Sequence, residues 1–273
     1  VHRLVQEVGR LWQQQLDEPE PNELEPALRW LNAAFVGNPQ DVRSWAVLDP
    51  LAPHAKALVG FADQAGITDQ TVRLISQLGP LLFCKAAYSD AEPLMARVVE
   101  IFEISLGNDH PNVAAALNNL AQLLQDTNRL AEAERLMQRA LAIDEANYGN
   151  EHPDVARDLN NLAGLLQATN RLLEAEPLMS RALAIDEASY GNDNPKVARD
   201  LNNLAGLLQA TNRLAEAEPL MRRMAEILIA FSQQGFQHPN LETGLGSYFS
   251  LLKALGLPES EIQAKLQSLQ PQP

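Results

Sequence analysis

The feature that most constrains this chain is a repeat. The stretch from His110 to Glu151 recurs from His152 to Asp193, 42 residues on, with about three quarters of its positions unchanged. A further copy starts at Asn194 and drifts after Arg223, a looser copy runs from Thr68 to Asp109, and a degenerate one begins at His238. A fixed period of this size signals a solenoid, because one unit is too small to bury its own apolar face and must stack on its neighbours. The period divides the chain into an N-terminal helical block at 1–67 and four repeats at 68–109, 110–151, 152–193 and 194–237. A degenerate fifth repeat with closing helices and a frayed tail follows at 238–273.

Each unit reads as two helices. Leu117, Leu120, Ala121 and Leu124 follow the i, i+3, i+4, i+7 spacing of one buried helix face. Asp126, Thr127 and Asn128 suit a turn, after which Leu130, Ala133, Leu136, Met137, Ala140 and Ile143 form a second apolar stripe. Tyr148-Gly149-Asn150 and Tyr190-Gly191-Asn192 close the second helix with a glycine suited to positive φ. His110-Pro111 and His152-Pro153 open the next helix, with proline where its missing N–H is harmless. At the equivalent place Asn194 precedes Pro195, and Asn is a good cap, so the histidines read as caps rather than metal ligands. Pro93, Pro177 and Pro219 fall in the second turn of the second helix, where proline costs about 3 kcal/mol. The capping-box spacing of Ser89 and Glu92 would bring Pro93 into a first turn. For Pro177 and Pro219 a late helix start or a kink is expected. Ahead of the repeats, Val1–Gln15, Leu24–Val36 and Leu51–Ala65 read as helices, the first broken by Asp17-Glu18-Pro19-Glu20-Pro21. Behind them, Leu241–Leu255 and Ser260–Leu269 form a closing pair in which Gly246 and Ser247 replace the Asn pair of the other units.

Leu alternates with small residues at fixed places: Ala121, Ala133 and Ala140, then Ala163, Ala175 and Ala182, then Ala205 and Ala217. This is similar to the packing signature of tetratricopeptide repeats. The resemblance implies an all-α, right-handed superhelical solenoid of helix-turn-helix units. The stretches Val113 to Ala121, Val155 to Ala163 and Val197 to Ala205, with Ala175 to Met179 and Ala217 to Met221, resemble more closely the repeats of kinesin light chains and their bacterial relatives. The long heptad region that a light chain needs to dock on its motor is missing from the sequence. Val1 to Gln6, and Asp41 to Trp45 up to His54, resemble the segments that follow the nucleotide-binding module in bacterial signalling ATPases of the NB-ARC type. With no starting Met and an opening in mid-pattern, the chain reads as a piece of a longer protein. No phosphate-binding Gly-x-x-x-x-Gly-Lys-Ser/Thr motif occurs in it.

A formal charge of −14 argues against nucleic acid and anionic membrane surfaces as partners. No apolar run approaches the roughly 20 residues that cross a bilayer. The single cysteine, Cys84, excludes an internal disulfide and fits a reducing, cytoplasmic compartment. Its neighbours Leu82 and Phe83 suit a small hydrophobe, buried or half-buried. No nucleophile elbow or His-Glu-x-x-His motif occurs, and neither catalysis nor a cofactor is expected. Asp144-Glu145 and Asp186-Glu187, late on a helix, read as a solvated acidic face, and Trp12, Trp30 and Trp45 as core.

The informative polar residues lie on the first helix of each unit, the helices that line the concave surface of such a stack. They are Asn118 and Asn119, with Gln122 and Gln125; Arg157, Asn160, Asn161, Gly164 and Gln167; and Arg199, Asn202, Asn203, Gly206 and Gln209. An Asn side chain can pair with both N–H and C=O of an extended peptide, and Arg can grip carboxylates. In the light-chain family the matching Asn residues line a peptide groove that takes acidic segments, so the resemblance implies a protein or peptide partner of that kind. The same amides can instead bond neighbouring helices, and Asp158 and Asp200, next in sequence, can neutralise the arginines. A regulatory arm that contacts its own nucleotide-binding module is the alternative function.

Overall fold

The computed structural model describes residues 21–233 and 240–269, and among these every regular element is an α-helix. In chain order they are α1 (Pro21–Ala34), α2 (Val42–Gln64), α3 (Asp69–Cys84), α4 (Tyr88–Leu106), α5 (Pro111–Asp126) and α6 (Leu130–Tyr148). There follow α7 (Pro153–Ala168), α8 (Leu172–Tyr190), α9 (Pro195–Ala210), α10 (Leu214–Gln233), α11 (Leu241–Ala254) and α12 (Glu259–Ser268). The helix expected at Val1–Gln15, the acidic stretch after it, Trp12, His238 and the tail lie outside the described residues.

Three signals place the helix boundaries. His110 and His152 do cap their helices: Nδ1 accepts from the N–H of Asn112 at 3.1 Å and of Asp154 at 3.2 Å, and Asn194 Oδ1 accepts from Lys196 N–H at 2.9 Å. Each cap thereby satisfies one of the N–H groups that a helix start leaves unpaired. Within the repeats the two helices are joined by a Schellman turn. In the Thr127-Asn128-Arg129 turn, the N–H of Arg129 reaches Leu124 C=O at 2.8 Å and that of Asn128 reaches Gln125 C=O at 3.0 Å. Asn128, Asn170 and Asn212 sit at φ 62°, 59° and 59°, and the threonine before each returns its hydroxyl to the helix carbonyls. Asn tolerates this left-handed conformation because its short amide bonds locally. The first such turn places Ala86 there, at φ 56°.

The prolines differ from expectation. α4, α8 and α10 all begin five residues before Pro93, Pro177 and Pro219 and run through them, so there is no late start. Ser89 is the second residue of α4 rather than its cap, and Glu92 reaches away to Arg129. In α8 and α10 the start is set by the turn before it, whose arginine carbonyl accepts the first helical N–H bonds (Glu174 and Ala175 to Arg171, Glu216 and Ala217 to Arg213). The same arginines fork onto the first-turn carboxylate three residues on, as Arg213 does onto Glu216 at 2.8 and 2.7 Å. In α2 the helix starts nine residues before Leu51, at Val42, where Asp41 accepts from Arg43 N–H at 3.0 Å. Pro50 and Pro53 are carried inside it because Leu48, Leu51, Ala55, Leu58, Val59 and Ala62 bury one face.

The chain divides into two compact units, Val1–Leu136 and Met137–Pro273, with the boundary inside α6. In the first, α1 packs on α2 and α3, α2 on α3, α3 on α4 and α4 on α5. Ala91, Met95 and Leu123 form a core cluster there, flanked by Leu82, Phe83, Tyr88 and Leu120. In the second, each helix from α7 packs on the next through to α12. Val155, Ala156, Leu159, Ala182 and Ile185 close one cluster with Leu141 and Leu178 beside them. Ala163, Ala175, Ala182, Ala205 and Ala217 are all fully buried, as close approach of two helices requires. Buried Tyr248 donates to Glu218 at 2.9 Å, where Lys265 also arrives at 2.9 Å, tying α11 and α12 to α10. Trp30 and Trp45 are half-buried rather than core, and Trp45 donates its indole N–H to Pro39 C=O at 2.8 Å. No helix among the described residues is long and apolar enough to cross a membrane.

Candidate functional site

Residues 157, 160, 161, 164 and 167 recur at i, i+3, i+4, i+7 and i+10, so α7 carries them as one stripe, and all five are half-buried between the core face and solvent. On α9 the matching stripe is exposed Arg199 and Asn202 with half-buried Asn203, Gly206 and Gln209. A methyl group added at Gly164 or Gly206 would meet nothing within 4 Å, so at these places the helix backbone is bare. On α5, Asn119 is exposed whereas Asn118 is buried, 7% exposed, and faces the packing rather than solvent. Asn160 is also engaged: its Nδ2 donates to Asp200 Oδ1 at 2.9 Å, bonding α7 to α9.

The arginines are not free cations on an amide ladder. Arg157 donates to three carboxylates: Asp154 at 2.7 Å, Asp144 at 3.1 Å and Asp158 at 3.2 Å. Arg199 donates to Asp200 at 3.1 Å and Asp186 at 3.4 Å. Asp144 and Asp186 are 1% and 2% exposed, and Asp158 and Asp200 are fully buried. This corrects the solvated acidic face expected for Asp144-Glu145 and Asp186-Glu187. The aspartates turn inward, and the glutamates pair with Arg181 and Arg223 of the following second helix. A sequence signal for the burial was available, since Met137, Ala140 and Asp144 recur at i, i+3 and i+7 on the apolar stripe of α6. Burial raises the Asp144 carboxyl above its ordinary range, with Arg157 opposing. It pushes Asp200 up to about 6, with Arg199 opposing and Asp186 adding.

Where this charged cluster is missing, a cavity stands in its place. Phe102, Ala115 and Ala116 precede Asp144, Arg157 and Asp158 by one 42-residue period. There α3, α4 and α5 enclose about 260 Å³ between Ile75, Pro80, Met95, Val98 and Phe102, with Ser76, Asn112 and Asn119 at its polar edge. In the second unit Leu228 stands one period after Asp186, and α9, α10 and α11 enclose about 290 Å³ that includes Arg199, Asn202, Thr243 and Ser247. Three residues of the expected set thus line cavities: Asn119 in one unit, Arg199 and Asn202 in the other. Among the described residues no group of three or more His, Cys, Asp or Glu could hold a metal ion. Cys84 is half-buried, and burial raises its thiol.

Comparison with known proteins agrees with this geometry. A family model described as tetratricopeptide repeat matches residues 70–146, 113–187 and 154–230. Among solved structures, BtubC (BKLC) from P. vanneervenii superposes with a TM-score of 0.65 at 22% identity, over 82% of this chain and 94% of that one. A Podosopora anserina protein described as a kinesin light chain with nearly identical TPR-like repeats gives 0.51 at 22% identity, over 86% and 95%. Aspartyl phosphate phosphatase F from Bacillus subtilis gives 0.51 at 12% identity, over 93% and 78%. At these identities the likeness is one of fold. None of the curated proteins matches the sequence.

Proposed function

Because the chain belongs to the tetratricopeptide repeat family, we propose that it is a protein-interaction scaffold that binds an extended peptide along the first helices of its repeats. The observation that carries this reading is the pair of matching stripes on α7 and α9. Each presents a half-buried Asn (Asn161, Asn203) and Gln (Gln167, Gln209) beside a bare glycine backbone, and none of these amides is needed to fill the core. Such amides offer donor and acceptor together, which is what a peptide main chain requires. Asn202 extends the set from its cavity edge, while Asn160 serves the stack. An acidic segment would meet the outer edges of Arg157 and Arg199, 41% and 50% exposed, and would compete there with the chain's own carboxylates. The structural neighbour described as a kinesin light chain fits a scaffold role, and no catalytic group enters the reading.

The test uses an extended peptide selected for binding from a random library by the full chain. Changing Asn161 and Asn203 together to Ala removes two hydrogen bonds worth about 0.5–1.5 kcal/mol each, so affinity should fall roughly tenfold. The melting temperature should hold. Variants that melt much lower while the folded fraction binds as before would make the amides structural and move the binding surface elsewhere.

The alternative, a regulatory arm of a signalling NTPase that holds its own nucleotide-binding module, draws on the segment Asp41 to His54. That segment forms the capped start of α2, and its partner Val1–Gln6 lies outside the described residues. It differs from the leading reading in the identity of the partner.

A further inference from the structure

We propose that Asp186 and Asp200 share a single proton that latches α8 to α9, so that this junction of the repeat stack loosens as pH rises towards neutrality. The two carboxyls come from consecutive repeats, are 2% and 0% exposed, and are bridged by one guanidinium nitrogen, Arg199 Nη2, at 3.4 and 3.0 Å. Their outer oxygens are satisfied: Asp186 Oδ2 accepts from Arg199, and Asp200 Oδ1 accepts from Arg199 and from Asn160 at 2.9 Å. Their remaining oxygens, Asp186 Oδ1 and Asp200 Oδ2, are buried and receive no hydrogen from another protein group. Two buried carboxyls held at one guanidinium, each with an oxygen left without a donor, can be joined only by a hydrogen, and one proton on either carboxyl supplies it, as in other paired carboxylates. The charged group that contacts both members of the pair is Arg199 of α9. Asn160 of α7 adds a neutral amide. With the proton in place one arginine faces one net negative charge, and without it one arginine faces two.

Asp144 and Asp158 repeat the arrangement one period earlier, between α6 and α7, with Arg157, Asp154 and His152 as the charged or titratable groups around them. The latch depends on no ligand and so stands apart from the peptide reading. Its sign follows from linkage. A carboxyl raised from its ordinary 3.8 to about 6 is mostly protonated at pH 5 in the folded chain and is ionised once the junction opens. The stabilisation is therefore present at low pH and lost as pH rises through about 6. Opening should be roughly tenfold harder at pH 5 than at pH 8.

Hydrogen–deuterium exchange of the full chain, expressed as protection factors for segments within α8 and α9, reads this directly. The wild type should lose roughly tenfold in protection between pH 5 and pH 8. Asp200→Asn keeps the oxygen that accepts from Arg199 and Asn160 and places a permanent N–H donor towards Asp186. It should abolish most of that loss and raise protection at pH 8. Equal loss in wild type and variant, or a variant less protected at both pH values, would overturn the latch. Should the variant fail to fold, ¹³C titration of the wild-type carboxyls decides. One member of the pair titrating near or above pH 6 supports the shared proton, and both titrating below that refutes it.

Discussion

Arg157→Ala separates an arginine that waits for a ligand from one that holds the stack. From sequence alone Arg157 is a groove cation, and its loss should leave the fold intact. In the structure its guanidinium bonds Asp144, Asp158 and Asp154, the first two 1% and 0% exposed. Removing one partner of a buried ion pair costs about 3–5 kcal/mol, because it strands the other charge. Two features reduce that figure here. Arg157 is 41% exposed, so solvent already screens part of the attraction, and a stranded carboxyl can take up a proton instead of remaining charged. The expected cost is about 2–3 kcal/mol at pH 7, falling at pH 5 where protonation is easier. Urea denaturation of the full chain at both pH values, followed by circular dichroism, measures it. Asp144→Asn in the Arg157→Ala background should recover part of the loss, since it removes one stranded charge. A cost below about 0.5 kcal/mol, equal at both pH values, would show that the buried aspartates do not depend on this arginine.

Two further outcomes follow from the backbone. Ala86 holds φ 56° where the later turns place Asn, so Ala86→Asn should stabilise the first unit by about 0.5–1 kcal/mol, read as a higher denaturation midpoint; a lower midpoint would mean that the alanine methyl packs usefully. Gly164→Ala and Gly206→Ala add a methyl in open space on a helix, so each should stabilise by up to about 1 kcal/mol while weakening the library-selected peptide; unchanged affinity would place the peptide away from these glycines.

Much of this architecture was legible because it repeats. The 42-residue period, the His-Pro and Asn-Pro caps, the turn asparagines and the Leu/Ala stripes are local signals, each tied to one backbone requirement, and the helices start and stop where they point. What misled was chemistry that depends on the neighbouring repeat. Charged residues late on a helix ordinarily face water, yet Asp144 and Asp186 are drawn inward because the next helix brings Arg157 or Arg199 and a second aspartate to meet them. The same holds for Pro177 and Pro219. A proline near a helix start is judged by the cost of its missing N–H, and the segment before it becomes helical through the Schellman turn and the arginine carbonyl that precede it. Asn160 and Asn161 are adjacent and identical in type, but a turn of about 100° per residue sends one towards Asp200 and leaves the other beside bare backbone.

The two kinds of junction in the second unit constrain how any ligand can be read out. Arg199 borders the cavity enclosed by α9, α10 and α11, and it also donates to the buried pair of Asp186 and Asp200. A carboxylate arriving at that cavity draws on a guanidinium already shared with the stack, so ligand contact and junction stability are linked through one side chain. Such linkage is reciprocal: if a bound carboxylate weakens the junction, opening the junction strengthens the binding of that carboxylate by the same free energy. Loss of binding in an Arg199 variant therefore cannot assign a groove contact, because a loosened stack gives the same result. Asn160 shares that double duty, since it donates to Asp200, whereas two other amides do not. Asn203 and Gln209 lie on the same helix without bonds to the buried carboxyls, so loss of binding in their variants at an unchanged melting temperature would point to ligand contact.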